Sequence, residues 1–133
     1  MLGRNPDAIP VNPVSNKVYV TNNGSNNVTV IDGASNKIIT TVSAGSRPWA
    51  VAINPVTNKI YVANFGSSNV TVMDGAANAT TTVSAGTDPD AVAVNPVTNK
   101  IYVTNWQSNN VTVIDGASNK TATVSAGTSP EAR

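Results

Sequence analysis

Two absences set the chemistry open to this chain: among its 133 residues it has no His and no Cys. Zinc sites of the Cys/His type, a disulfide framework, and any mechanism that needs an imidazole or a thiolate are excluded. Carboxylates, Lys, Arg, hydroxyls and amides remain. Asp7 and Asp90 each follow a proline, and Trp49 and Glu131 hold the same place after Pro48 and Pro130. Carboxylates gathered at one mouth with Asn side chains nearby offer the hard oxygen donors that suit calcium. A carboxylate crowded by another has a raised pKa and can serve as a general base. Asp7 and Asp90 are therefore the candidates both for catalysis and for a metal, although no motif requires a cofactor. The plainer role of an Asp beside Pro is to cap backbone amides in a turn.

A wider set of residues could bind rather than react. Trp49, Phe65 and Trp106 are the large aromatics outside a regular Tyr series, and such rings stack on sugars or aliphatic ligands. They also suit a gap between packed elements or a protein partner. Around them stand Arg4, Asp7, Arg47, Asp88, Asp90, Gln107 and Glu131. Other motifs are weak. Asn27-Val28-Thr29, Asn69-Val70-Thr71 and Asn110-Val111-Thr112 match a glycosylation sequon but fall inside expected strands. Ser43-Ala44-Gly45 lacks the strand–elbow–helix context and the His of a hydrolase nucleophile. No phosphate-binding glycine loop is present.

The elements that must position these residues follow from composition and periodicity. Charged residues are 11% of the chain and the net charge is +1, without basic runs, which argues against a nucleic-acid partner. Apolar runs such as Ala50 to Ile53 are far shorter than the roughly 20 residues of a spanning helix, so no membrane insertion is expected. The N-terminus lacks the apolar segment of a signal peptide. Val and Thr favour strands, whereas Asn, Gly, Pro and Ser favour turns, so the chain reads as all-β. The hydrophobic 40% recurs regularly, which argues against disorder.

That regularity is a repeat. Asn12-Pro13-Val14-Ser15-Asn16-Lys17-Val18-Tyr19-Val20 returns from Asn54 and again from Asn95, a period of about 41 to 42 residues. The first copy carries one extra residue near Ile38-Ile39-Thr40-Thr41. Each copy contains four expected strands. In the second they are Ala50 to Ile53, Lys59 to Ala63, Asn69 to Met73 and about Thr80 to Ser84, with Asp74-Gly75 as a tight turn in which Gly supplies positive φ. Such a sheet cannot bury two apolar faces alone, and stacking copies into blades buries them. Tyr19, Tyr61 and Tyr102 repeat in register and read as packing between blades. Lys17, Lys59 and Lys100, with Asp32, Asp74 and Asp115, read as turn and blade contacts. Copies differ mainly in the inter-blade loop and the loop between strands two and three, which an up-and-down blade puts at the same end.

Tyr-Val-Thr-Asn at Tyr19 to Asn22 and Tyr102 to Asn105, with Tyr-Val-Ala-Asn at Tyr61 to Asn64, resembles the YVTN family of β-propeller repeats. The flanking Asn-Pro-Val-Thr-Asn-Lys and Asn-Val-Thr-Val-Ile-Asp-Gly fit the same family. The resemblance implies four-stranded blades and an extracellular, cell-surface or periplasmic setting. Members commonly have seven blades, whereas this chain divides into three: about 3–45, 46–86 and 87–127, with a tail at 128–133. Three blades do not close a ring, since closed propellers have about four to eight. A homodimer joined head to tail would close one of six. The expected function is a non-catalytic binding or interaction scaffold for a small molecule, glycan or protein, with its ligand face on the variable loops. The alternative is a small esterase- or lactonase-like hydrolase using the Asp7 and Asp90 carboxylates, with or without a divalent cation.

Overall fold

The computed structural model describes Gly3 and residues 5–130. Those residues form twelve strands in three four-stranded antiparallel sheets, each a simple meander. Blade 1 comprises β1 (Val11–Asn12), β2 (Lys17–Asn22), β3 (Asn27–Asp32) and β4 (Ile38–Ser43). Blade 2 comprises β5 (Pro48–Asn54), β6 (Lys59–Asn64), β7 (Asn69–Asp74) and β8 (Thr80–Ser84). Blade 3 comprises β9 (Pro89–Asn95), β10 (Lys100–Asn105), β11 (Asn110–Asp115) and β12 (Thr121–Ser125). The all-β propeller architecture expected from the repeat is thus present.

Local departures have chemical causes. β1 is short because Pro10 stands where the other copies have Ala52 and Ala93. Its carbonyl accepts from the Tyr19 amide at 3.1 Å, but proline has no N–H to return the bond. The extra residue of the first copy is absorbed as a bulge: Thr40 pairs with Val30 and Ile38 with Ile31, leaving Ile39 unpaired.

The Asp-Gly turn differs from its expected form. No glycine among the described residues has positive φ; the left-handed residues of these turns are Asn36, Asn78 and Asn119, at 61°, 60° and 61°. Asn tolerates that region better than other side chains. Gly75 is required for space instead. Its amide donates to the Asn58 carbonyl at 2.8 Å, and a Cβ would lie 2.8 Å from that same oxygen.

The core lies between blades. Side chains alternate along each strand, so Tyr61 and Ala63 of β6 face blade 3 while Ile60 and Val62 face blade 1. Tyr19, Val28 and Val30 of blade 1 pack with Ile60, Val62 and Met73 of blade 2. One blade on, Tyr61, Ala63, Val70 and Val72 pack with Ile101, Val103 and Ile114. Each fully buried Ile or Met in these layers contributes about 1.5–3 kcal/mol.

Inside each blade a buried asparagine ties the variable loop to the sheet. Asn22, Asn64 and Asn105 donate through Nδ2 to the side-chain oxygens of Asn27 and Thr29, Asn69 and Thr71, and Asn110 and Thr112, all at 2.9 Å. The sequon-like Asn and Thr residues are therefore engaged in this network, inside strands, as the sequence suggests.

Candidate functional site

The variable end of the blades is built from bulges. In blade 2, Pro48 pairs with Asn64 and Ala50 with Ala63, so Trp49 has no partner across the ladder. In blade 3, Pro89 pairs with Asn105 and Ala91 with Thr104, which leaves Asp90 in the same situation. In blade 1, Pro6 bridges Asn22 while the Asp7 amide donates to the Thr21 carbonyl at 2.9 Å. An extra residue on one strand bends the chain and re-aims its side chain. Asp7, Trp49 and Asp90 thus share a position that the sheet has singled out. The sequence carried its signal, a proline followed by one variable residue and then Ala, but not the bulge itself.

Two further positions accompany each bulge. The residue before the proline is left-handed: Asn5, Arg47 and Asp88 have φ of 52°, 52° and 56°. Its carbonyl accepts from the first residue of the loop between strands two and three. The pairs are Asn5 with Asn23, Arg47 with Phe65 and Asp88 with Trp106, at 3.0, 3.0 and 2.9 Å. The geometry brings together Arg47, Trp49 and Phe65 in blade 2, and Asp88, Asp90 and Trp106 in blade 3. In blade 1 the corresponding residues are Asn5, Asp7 and Asn23.

The three sets differ chemically on one backbone frame. In blade 2 the Trp49 and Phe65 rings lie 5.1 Å apart, tilted by 32°. The Arg47 guanidinium sits 5.9 Å from the Trp49 centroid and 5.2 Å from that of Phe65. Trp49 remains 38% exposed, so this cation–aromatic cluster presents a ring to solvent rather than plugging the core. In blade 3 the Asp90 carboxylate accepts a 2.6 Å hydrogen bond from Thr104 Oγ1, and Trp106, two residues after Thr104, is 37% exposed. Thr104 gave no signal in the sequence, because Thr21 and Ala63 hold its place in the other blades. Asp7 lines a mostly apolar groove with Pro6, Ala8, Ile9, Val20 and Ile31. Gln107 is exposed in the loop after β10, its amide bonded to the Thr87 carbonyl at 3.2 Å. Arg4 and Glu131 lie outside the described residues. Among the described residues no group of three or more carboxylates gathers as a metal centre.

The opposite end varies less, and its carboxylates are occupied with their own turns. Asp32 accepts from Ser35 Oγ at 2.7 Å and from the Ala34 amide at 3.2 Å. Those bonds, the hydroxyl first, hold its carboxyl below the usual range. Lys17 Nζ donates to the Gly75 carbonyl at 2.9 Å and Lys59 Nζ to that of Gly116 at 3.3 Å, each crossing from one blade to the next.

No family model matches the chain, and no curated protein matches it. Solved structures share its fold. Hydrazine synthase from Kuenenia stuttgartiensis superposes with a TM-score of 0.88 at 22% identity, over 96% of this chain and 38% of that one. A functionally unknown protein from Desulfotomaculum acetoxidans DSM 771 gives 0.76 at 16% identity, over 92% and 42%. A candidate 6-phosphogluconolactonase from Bacteroides fragilis NCTC 9343 gives 0.77 at 18% identity, over 96% and 41%. The chain spans less than half the length of each of these structures, and at these identities the likeness is one of fold: three propeller-like blades.

Proposed function

We propose that this chain is a non-catalytic binding scaffold of the YVTN kind, working outside the cytoplasm, whose ligand face is the bulged, variable end of its blades. The observation that carries this reading is the placement of Arg47, Trp49 and Phe65 at one bulge and its facing loop, and of Asp88, Asp90 and Trp106 at the next. Partly exposed tryptophans, one beside Arg47 and the other in the blade that carries Asp88 and Asp90, suit a sugar, whose C–H face stacks while its hydroxyls hydrogen-bond. Arg47 adds a partner for a carboxylate on an acidic sugar. Binding sites are generally loops held by a rigid scaffold, and the buried Asn22, Asn64 and Asn105 networks supply that rigidity.

The test is calorimetric titration with neutral and uronic-acid oligosaccharides. Binding should be lost in Trp49→Ala and Trp106→Ala, and Arg47→Gln should selectively lose the acidic sugars. If wild type binds neither class, or the tryptophan variants bind unchanged, the reading fails. The hydrolase alternative draws on one observation, the short bond that orients the Asp90 carboxylate, with calcium as the cation it would share with Asp7. Hydrolysis of generic esters or lactones that disappears in Asp90→Asn would favour it over the scaffold.

A further inference from the structure

Six Asn-X-Ser/Thr triplets occur in the chain, beginning at Asn23, Asn27, Asn69, Asn78, Asn110 and Asn119. Transfer of an oligosaccharide to Asn requires a hydroxyl two residues on and a surface position. The structure separates the six by the state of that hydroxyl. Thr29, Thr71 and Thr112 are buried, and their hydroxyls accept from Asn22, Asn64 and Asn105. Ser25 Oγ donates to Asn27 Oδ1 at 3.1 Å. Thr80 and Thr121 are exposed, and neither hydroxyl bonds to a described residue.

The asparagines divide in the same way. Asn27, Asn69 and Asn110 begin strands, and each Oδ1 accepts from a buried Asn and from a loop Ser. Asn78 and Asn119 stand instead in the turns from β7 to β8 and from β11 to β12, with φ of 60° and 61°. Their backbone amides donate to the Asp74 and Asp115 carbonyls at 2.8 and 2.7 Å, which fixes the turn. Each Oδ1 is buried, and Nδ2, bonded to no described residue, is the outward end of the side chain. The residues between Asn and Thr, Ala79 and Lys120, are exposed.

Blade 1 has the same turn without the hydroxyl. Asn36 is left-handed at 61°, and its amide donates to the Asp32 carbonyl at 2.8 Å. Ile38 pairs with Ile31 as Thr80 pairs with Met73 and Thr121 with Ile114, so an isoleucine holds the threonine's place.

We propose that Asn78 and Asn119 are N-glycosylation sites, each accepting an oligosaccharide from a lipid-linked pyrophosphate donor through an oligosaccharyltransferase. Nδ2 forms a bond to the anomeric carbon of the sugar. The bond from that carbon to the pyrophosphate oxygen breaks, and its electron pair leaves with the lipid pyrophosphate. One Nδ2 proton goes to a base of the transferase. The Gly75 amide ties the blade 2 turn to the Asn58 carbonyl, at the end opposite the bulges, so the glycans leave the ligand face open. Occurrence in the cell rests on the extracytoplasmic setting proposed above, whereas the acceptor geometry does not.

Glycopeptide mass spectrometry of the folded full chain tests the proposal. The chain is incubated with a purified single-subunit oligosaccharyltransferase and its lipid-linked oligosaccharide, a pair that modifies a control acceptor peptide. Wild type should gain two glycans, at Asn78 and Asn119. Thr80→Val should lose only the first and Thr121→Val only the second, whereas Thr80→Ser should keep both. Ile38→Thr should gain a third, at Asn36. These positions are all exposed, and circular dichroism confirms that the variants fold. An unmodified wild type overturns the proposal. Modification of the folded chain at Asn23, Asn27, Asn69 or Asn110 also overturns it, as does Ile38→Thr without a third glycan, because the turn is then not what selects the acceptor. Purified components make the result independent of where the chain works.

Discussion

Tyr61 and Tyr102 sit in nearly the same words of sequence, Lys-Ile-Tyr-Val-Ala-Asn and Lys-Ile-Tyr-Val-Thr-Asn, on strands of the same length and pairing. Tyr61 is fully buried and Tyr102 is 40% exposed. Val83 and Val124, two strands further out, are 6% and 54% exposed. The difference owes nothing to local propensity. The Tyr61 face of β6 is covered by blade 3 and no described residue covers the same face of β10, so identical residues are core in one repeat and surface in the next.

The largest test of this comparison is truncation. Tyr61→Ala should cost about 3–5 kcal/mol in urea unfolding, as for other large aromatics removed from a core. Tyr102→Ala should fall within about 0.5 kcal/mol of wild type. Equal costs would break the distinction between the two faces.

Glycine gives a second pair. A Cβ on Gly86 would press on Ser108, Asn110 and Asn105, so Gly86→Ala should destabilise by about 1–3 kcal/mol, the usual cost of overpacking. Gly127→Ala should leave stability unchanged, because its Cβ enters open space.

The lysines sharpen the comparison further. Lys59→Met removes the bond to the Gly116 carbonyl and should cost about 0.5–1.5 kcal/mol in thermal or urea unfolding. Lys100→Met, at an exposed position, should leave the unfolding midpoint unchanged.

The smallest effect is in pH. Burial, and then the charges of Asp74 and Asp115, raise the phenols of Tyr19 and Tyr61 above their ordinary 10.0. Both phenols are neutral in folded and unfolded chains below pH 10, so nothing is lost there. Above it the unfolded chain ionises first and binds fewer protons, and stability falls as pH rises. Tyr61→Phe should move the alkaline unfolding midpoint upward by circular dichroism. Its neutral-pH stability should be unchanged or slightly improved, since the Tyr61 hydroxyl is buried without a hydrogen-bond partner. An unshifted alkaline midpoint would show that the phenol ionises as readily folded as unfolded.

Much of this molecule was legible from residue order. The period of about 41 to 42 residues, the alternation of Val, Ile and Tyr and the Asn-Pro turns determined four strands per repeat and three repeats, because strand pairing and turn chemistry are local. The variable end was legible as well, since copies of a repeat reveal where they differ. The bulge was not. It arises where Pro48 and Asn64, or Pro89 and Asn105, pair across two strands, and only that pairing leaves Trp49 and Asp90 unmatched. The turn glycines were misread for a related reason: Gly75 is needed by the Asn58 backbone across the turn, while Asn78 carries the left-handed angle. Sequence thus determined which elements form and which residues vary. Tertiary structure decided which tyrosines are core and which aromatics meet one another, because burial and contact depend on what lies across the gap between blades.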